Sequence, residues 1–292
     1  MKKYLSFDIG GTQIKYGIVN ENGDVVFHSL MDTEAHIGGM YIMKKIIESA
    51  KGIMKRYQIQ GITISTAGVV DADKGIVLGA SDAIPNYTGL NIKEILLKEL
   101  HLPVTVRNDA DCAALCEKWL GGHQVDNFIM LTIGTGVGGG IVINDELYSG
   151  HSFSAGEWGY MNIEGSPFQE IASITGLINM AKTLSDSRAW TGREIYELYD
   201  KGDESITKVV SRFYRHLAIG ISNLIYIFNP QKVIIGGGIT ARGDQFVCEI
   251  KEELRKHIKE SFYRETDLVL AKYSNQAGLI GAVYNFIQEQ SN

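Results

Sequence analysis

The chain is short of the features that would place it outside the cell, across a membrane or on a nucleic acid. It has three cysteines in 292 residues, an odd number that makes no disulfide framework and fits a reducing cytoplasm. No window approaches the roughly 20 apolar residues of a membrane span. The opening "MKKYLSFDIG" reaches Asp8 before the apolar core of a signal peptide can form. A cytoplasmic protein is therefore expected. Basic residues are short too: 28 Lys and Arg against 34 Asp and Glu, a net charge of -6. A long phosphate backbone is not the expected partner. Small anions stay open, because backbone amides and bound metal hold them without net positive charge. Cys112 and Cys116 lie one helical turn apart, but no second Cys/His pair is near, so they read as buried packing.

What is present describes a globular α/β protein. The chain is long enough for two ordinary domains, and 45% of its residues are hydrophobic. "YLSFDIG", "KYGIVN" and "DVVFHSL", punctuated by Gly10-Gly11 and Asn22-Gly23, read as an antiparallel meander. "YIMKKIIESAKGIMKRY" has helical spacing, "GITISTAG" is a buried strand, and "NIKEILLKEL", "PVTVRND" and "DADCAALCEKWLGG" continue as helix, strand and helix. "NFIMLTIGTGVGGGIVINDELYSG" then starts the pattern again. It shares with "LSFDIGGTQIKYGIVNENGDVV" an apolar strand, Ile-Gly, a Thr-containing glycine turn and Gly-Ile-Val. A duplicated domain is expected. Helices are predicted over "FQEIASITGLINMAKTLS", over "TGREIYELYDKG" with Thr191 and Glu194 at capping-box spacing, from about Asp203 to Phe228, over "GDQFVCEIKEELRKHIKESF" and over "GLIGAVYNFIQEQ". No linker or low-complexity tract separates the halves, so they are expected to pack across a cleft.

"GTGVGG" (Gly134–Gly139) fits the dinucleotide fingerprint, but β-patterned residues follow where that fingerprint needs a helix. A glycine turn between antiparallel strands offers a different use: its N–H groups converge on a phosphate with no Cβ in the way. "DIGGTQIK" and "TIGTGVGG" supply one such turn per half, with hydroxyls at Thr12 and Thr135. Asp8 beside a phosphate turn is repulsive unless Mg²⁺ lies between them. "IIGGGI" is a third glycine turn, either a plain strand-to-helix corner or a close approach to a flat adenine ring. "RNDADC" puts Asn108 and Asp109 where a strand meets a helix, so either residue is a candidate N-cap. The alternative is that Asp109 takes a proton from a substrate hydroxyl during phosphoryl transfer.

"FDIGGTQIKYGIV", "STAGVVD", "RNDADCAA", "LTIGTGVGGGIV", "AGEWGY" and "IIGGG", in this order, resemble the ROK (repressor, open reading frame, kinase) family of sugar kinases over essentially the whole chain. The resemblance implies an actin-like, ribonuclease-H-like duplicated α/β fold with two domains and a central cleft, closing over ATP and a sugar. It implies a smaller domain of residues 1–109 with the C-terminal helix 278–292, and a larger one of 110–277. Asp109 matches the catalytic base. Asp8, Gly10, Gly11 and Thr12, with Lys15, match the first phosphate segment, and Asp8 the Mg²⁺ site, through water. Thr132 and Gly134, Thr135 and Gly136 match the second phosphate segment, and Gly236, Gly237 and Gly238 the adenosine segment. Sugar contacts fall on Gly68, Asn86, Asn108, Asp109 and Glu157, with Glu170 of "FQEIAS" at a further family glutamate. Carboxylates and amides of this kind suit vicinal hydroxyls.

The chain departs from the common pattern in one place. Tyr160 stands where that pattern has a histidine, and "MNIEGSPFQE" holds none of its cysteines, so no structural zinc is expected. Asp8 follows only seven residues, so the helix-turn-helix of the repressor branch is not expected. "AGEWGYM", "IYIFNPQKVIIGGG" and "AGLIGAVYNF" look most like bacterial β-glucoside kinases, which phosphorylate the 6-hydroxyl of the non-reducing glucose of cellobiose or gentiobiose. Tyr160 is then expected against the second sugar ring. A kinase of glucose, fructose or N-acetylmannosamine is the alternative, and a non-catalytic sugar sensor a third. Relatives of this fold are commonly dimers, so a homodimer is expected.

Overall fold

The computed structural model describes residues 1–79, 84–185 and 188–291. The chain divides into two compact units: Met1–His123, Leu147–Ala155 and Tyr273–Asn292 form one, and Gln124–Glu146 with Gly156–Lys272 the other.

In the first unit β1 (Lys3–Ile9), β2 (Gln13–Asn20) and β3 (Val25–Asp32) form the meander that the glycine-punctuated runs predict. After α1 (Gly39–Met54), the chain enters β4 (Ile62–Thr66), buried along its whole length as a strand covered on both faces must be. A small hairpin of β5 (Val69–Asp71) and β6 (Ile76–Gly79), absent from the sequence reading, precedes α2 (Ile92–Leu100). β7 (Val104–Asn108) runs directly into α3 (Asp109–Leu120). The sheet order is β3-β2-β1-β4-β7, with β1, β4 and β7 mutually parallel. Phe7, Ile14, Ile18, Ile42 and Ile64, all fully buried, form the centre of its core.

The second unit repeats the plan. β8 (Phe128–Ile133), β9 (Val137–Ile143) and β10 (Glu146–Leu147) are followed by β13 (Lys232–Gly236) and β14 (Asp267–Leu270) in the order β10-β9-β8-β13-β14, with β8, β13 and β14 parallel. The matching strand orders make the fold the duplicated ribonuclease-H-like α/β architecture of the ROK resemblance. Between the two halves of this sheet lie the hairpin of β11 (Asn162–Ile163) and β12 (Ser166–Pro167), then α4 (Phe168–Ala172), α5 (Ile174–Lys182), α6 (Gly192–Asp200) and the long α7 (Glu204–Phe228). α8 (Asp244–Leu254) and α9 (Glu260–Glu265) separate β13 from β14.

Two predicted helices are each split. Ser173 turns its hydroxyl to the N–H of Gly176 and caps a new helix, so α4 and α5 replace one continuous run. α8 stops at Leu254, and helix returns only at Glu260, the start of α9. The last helix, α10 (Ala277–Ser291), belongs to the first unit and packs on α3 and β1. Asn292, part of the expected C-terminal helix, lies outside the described residues.

Candidate active site

In the first unit the parallel strands end in register: Asp8 lies beside Ser65, Ile9 beside Thr66, and Thr66 beside Asn108. The carboxyl ends of such strands are where α/β sheets hold ligands. Ser65 Oγ donates to Asp8 Oδ1 at 2.7 Å and Lys15 Nζ to Oδ2 at 3.3 Å. The Asp8 side chain is 14% exposed. A Cβ on Gly278 would stand 2.6 Å from its carboxyl, so glycine there lets the N-terminal turn of α10, with its partial positive charge, reach the carboxylate. The Gly10–Thr12 turn is tied from behind: Thr33 donates its N–H to the Thr12 carbonyl at 2.8 Å and its hydroxyl to the Gly10 carbonyl at 2.6 Å. Gly11 and Thr12 are exposed at its tip.

The two capping candidates divide their work. Asn108 is the N-cap of α3, its Oδ1 accepting from the N–H of Ala110 at 2.8 Å and of Asp111 at 3.1 Å. Its Nδ2 donates to the Gly68 carbonyl at 2.9 Å, joining the β4–β5 corner to the helix start. Asp109, one residue on, is exposed, with Oδ1 2.9 Å from the N–H of Ala110. Tyr87 Oη and Thr66 Oγ1 share a hydrogen bond of 2.6 Å. Burial, aided by the charge of Asp109, pushes the Tyr87 hydroxyl up to about 12. Asn86, exposed with φ 54°, is the chain neighbour of this tyrosine.

In the second unit the Gly134–Gly136 turn is closed by the Gly134 N–H donating to the Gly136 carbonyl at 3.0 Å, and the Gly134 carbonyl accepts from Ile174 at 2.9 Å. Ile174 also lines a cavity of about 420 Å³ with Gly192, Tyr196, Gly238, Ile239 and Gln245. Its wall is stiffened by Arg242, which holds Asp200 and Glu249 and stacks 4.3 Å over the Tyr196 ring. Thr132 pairs with Gly236 across β8 and β13. Gly237 has φ 87°, and a Cβ there would stand 2.5 Å from the Ile133 carbonyl oxygen, so only glycine makes this corner.

Glu157 is half-buried, which raises its carboxyl above the ordinary glutamate value. Its neighbour Trp158 fixes the segment by donating Nε1–H to the Met130 carbonyl at 3.1 Å. Tyr160 projects outward at 73% exposure, and Glu170 is exposed on α4. Gln169 is the residue that the sequence reading passed over. Its Oε1 lies 3.2 Å from where a Cβ on Gly136 would stand and 2.9 Å from the same point on Gly159, so it spans the Gly134–Gly136 turn and the Glu157–Tyr160 segment. Ser65, Tyr87, Ile174 and Tyr196 were missed too. Ser65 and Tyr87 show themselves only through cross-strand register and burial.

The sequence signature that defines the ROK family matches residues 4–289. The chain belongs to the ROK family. A beta-glucoside kinase of Listeria monocytogenes is similar to it, 38% identical over 99% of each chain. Among solved structures, a ROK family protein from Streptococcus pneumoniae in complex with sucrose superposes with a TM-score of 0.88 at 27% identity, covering 99% of both chains. A ROK family glucokinase from Streptomyces griseus in complex with glucose and AMPPNP gives 0.82 at 27% identity, over 96% of this chain and 97% of that one. In this ROK chain, the segment that carries the metal loop in the common family pattern is a tight hairpin. Glu164 and Gly165 take φ of 50° and 88° at its turn, Asn162 Oδ1 accepts from the Gly165 N–H, and Phe168 is buried against Gly220 of α7.

Proposed function

We propose that this protein is an ATP-dependent sugar kinase that phosphorylates the 6-hydroxyl of the non-reducing glucose of β-glucosides such as cellobiose and gentiobiose. The observation that carries the reading is the division of labour at Asn108-Asp109. Asn108 caps α3 and binds Gly68, which leaves an exposed carboxylate on Asp109 at a strand end. Asp109 accepts the proton of the 6-hydroxyl as its oxygen attacks the γ-phosphorus. The new O–P bond forms in line as the bond to the β-phosphate oxygen breaks, and ADP leaves.

The turns Gly10–Thr12 and Gly134–Gly136 offer N–H groups and the Thr12 and Thr135 hydroxyls to phosphate oxygens. The cavity beside Gly238 takes the adenosine, and the AMPPNP complex of the S. griseus glucokinase supports ATP as the phosphate donor. Asp8 fits a Mg²⁺ site: it is a hard, partly exposed carboxylate, and this ion keeps several waters and needs few protein ligands. Bound there, Mg²⁺ would supply positive charge to offset that of the transferring phosphate. Glu157, Asn86 and the Gly68 corner bind sugar hydroxyls, Glu170 is a further hydroxyl acceptor, and Tyr160 meets the second ring. The disaccharide half of the reading is supported by the beta-glucoside kinase relative and by the sucrose complex at 27% identity. The S. griseus glucokinase supports glucose as the alternative substrate. The reading of a zinc-free branch rests on Tyr160 in place of the histidine and on a segment 161–170 without cysteine.

Asp109→Asn tests the base. It should lower kcat by about 10²–10⁴-fold and leave the sugar dissociation constant within a factor of about two, by isothermal titration. Near-normal turnover would remove Asp109 from the mechanism. A substrate panel tests the rest: glucose or N-acetylmannosamine turned over as well as cellobiose would replace the β-glucoside assignment.

A further inference from the structure

A second cavity in the second unit, about 650 Å³, is unused by the proposed reaction. It opens between the β11–β12 hairpin, one face of α7 and the end of α8. Arg215 and His216 stand one helical turn on from Arg212 on that face, and Lys256 enters from beyond α8. Two carboxylates share the cavity. Glu164 at the hairpin turn is held by Arg215 and lies 3.3 Å from His216 Nε2, and Glu253 holds Lys256 at 2.7 Å and His257 at 3.1 Å. Arg212 forms no hydrogen bond or ion pair among the described residues.

Three fixed cations therefore face two carboxylates, a local positive excess in a chain of net charge -6. Ser166 and Ser211 add hydroxyls, and Ile163 and Ile171 form an apolar patch. The volume lies within the roughly 300–1,000 Å³ of small-molecule sites. Arginine forks select phosphate over a simple point charge, while hydroxyls and an apolar patch suit a polyol ring rather than a bare anion.

We propose that this cavity binds a phosphorylated sugar, the class of compound that the proposed kinase reaction produces. Arg212 and Lys256 take the phosphate, and Arg215 is drawn toward it from Glu164. The hairpin that Glu164 closes lies in the chain between Glu157–Tyr160 and Glu170. Product in the cavity thus loosens the segment carrying the proposed sugar contacts and slows turnover. The choice of a sugar phosphate rests on the proposed function; the phosphate site itself rests on the cavity alone.

Isothermal titration of the full chain with glucose 6-phosphate, under saturating cellobiose so that the sugar site is filled, reads the cavity directly. One residual site is expected in the wild type, weakened about tenfold or more in R212Q/K256Q by loss of two charge-assisted contacts. The variant should keep its initial-rate kcat and KM, since both side chains are exposed and outside the proposed machinery. Residual binding of equal strength in wild type and variant, or none in the wild type, overturns the proposal. Equal affinity for inorganic phosphate overturns its sugar half. A protein that keeps the cavity binding but transfers no phosphate to any sugar sinks the kinase reading instead, so the two failures are distinguishable.

Discussion

The same strand position is filled differently in the two units. Asp8-Ile9-Gly10 at the end of β1 corresponds to Thr132-Ile133-Gly134 at the end of β8, each leading into a glycine turn and each next to a parallel strand. In the first unit the neighbouring residue is Ser65, which donates to the Asp8 carboxylate. In the second it is Gly236, which leaves no side chain at all. One half of a duplicated plan holds a charged, hydrogen-bonded carboxylate at this position, the proposed Mg²⁺ ligand. The other holds a neutral hydroxyl beside a glycine whose added Cβ would stand 2.7 Å from the Met130 methyl carbon.

Exchanging these roles should produce the largest effect. Asp8→Thr removes the proposed Mg²⁺ ligand and is expected to lower kcat by about 10²–10³-fold, the scale of losing one preorganised electrostatic stabiliser. Steady-state kinetics over a Mg²⁺ titration checks it, and excess metal should not restore the rate. Next is Gly237→Ala, which forces a side chain into φ 87° against the Ile133 carbonyl. It should cost about 1–3 kcal/mol of stability in denaturant unfolding and raise KM for ATP more than KM for sugar. An unchanged ATP KM would detach the third glycine turn from the nucleotide.

Glu157 gives a pH test confined to the second unit. Burial raises its folded-state value above the 4.5 of an ordinary glutamate. Between the unfolded and the folded value the native state binds the extra proton, so stability falls as pH rises through that window. Its contribution as an ionised hydroxyl acceptor runs the other way: sugar KM should climb as pH drops through the raised value. Glu157→Gln should flatten both profiles, and a KM profile identical to wild type would take Glu157 off the sugar. The smallest effect is expected at Tyr160, 73% exposed. Tyr160→Ala should leave thermal stability unchanged and raise KM for cellobiose by about threefold to tenfold, the scale of one stacking contact, with KM for glucose unmoved.

Much of this was legible in the chain because it depends on local chemistry. The Thr191–Glu194 capping box forms as its spacing predicts, with both reciprocal bonds present. Cys112 and Cys116 are buried in α3, and the repeated strand–glycine-turn–strand text becomes two sheets of the same order. The β5–β6 and β11–β12 hairpins were not legible. Their strands are two to four residues long and set by pairing rather than by any period. The break at Ser173 was hidden for a related reason: the apolar spacing runs straight through it, and only the hydroxyl's choice of the Gly176 N–H over solvent starts a new helix.

The sequence by itself determined the family, the duplication, the glycine turns and the carboxylates available for chemistry, because motif residues are identities at fixed spacing. Tertiary structure decided which of two adjacent capping residues caps. It also gave Asp8 its serine and lysine partners, put Gln169 between the Gly134–Gly136 turn and the Glu157 segment, and gathered Arg212, Arg215 and Lys256 around one cavity. These outcomes rest on strand register and helix packing. Such contacts join residues far apart in the chain, and no local pattern encodes a distance between them.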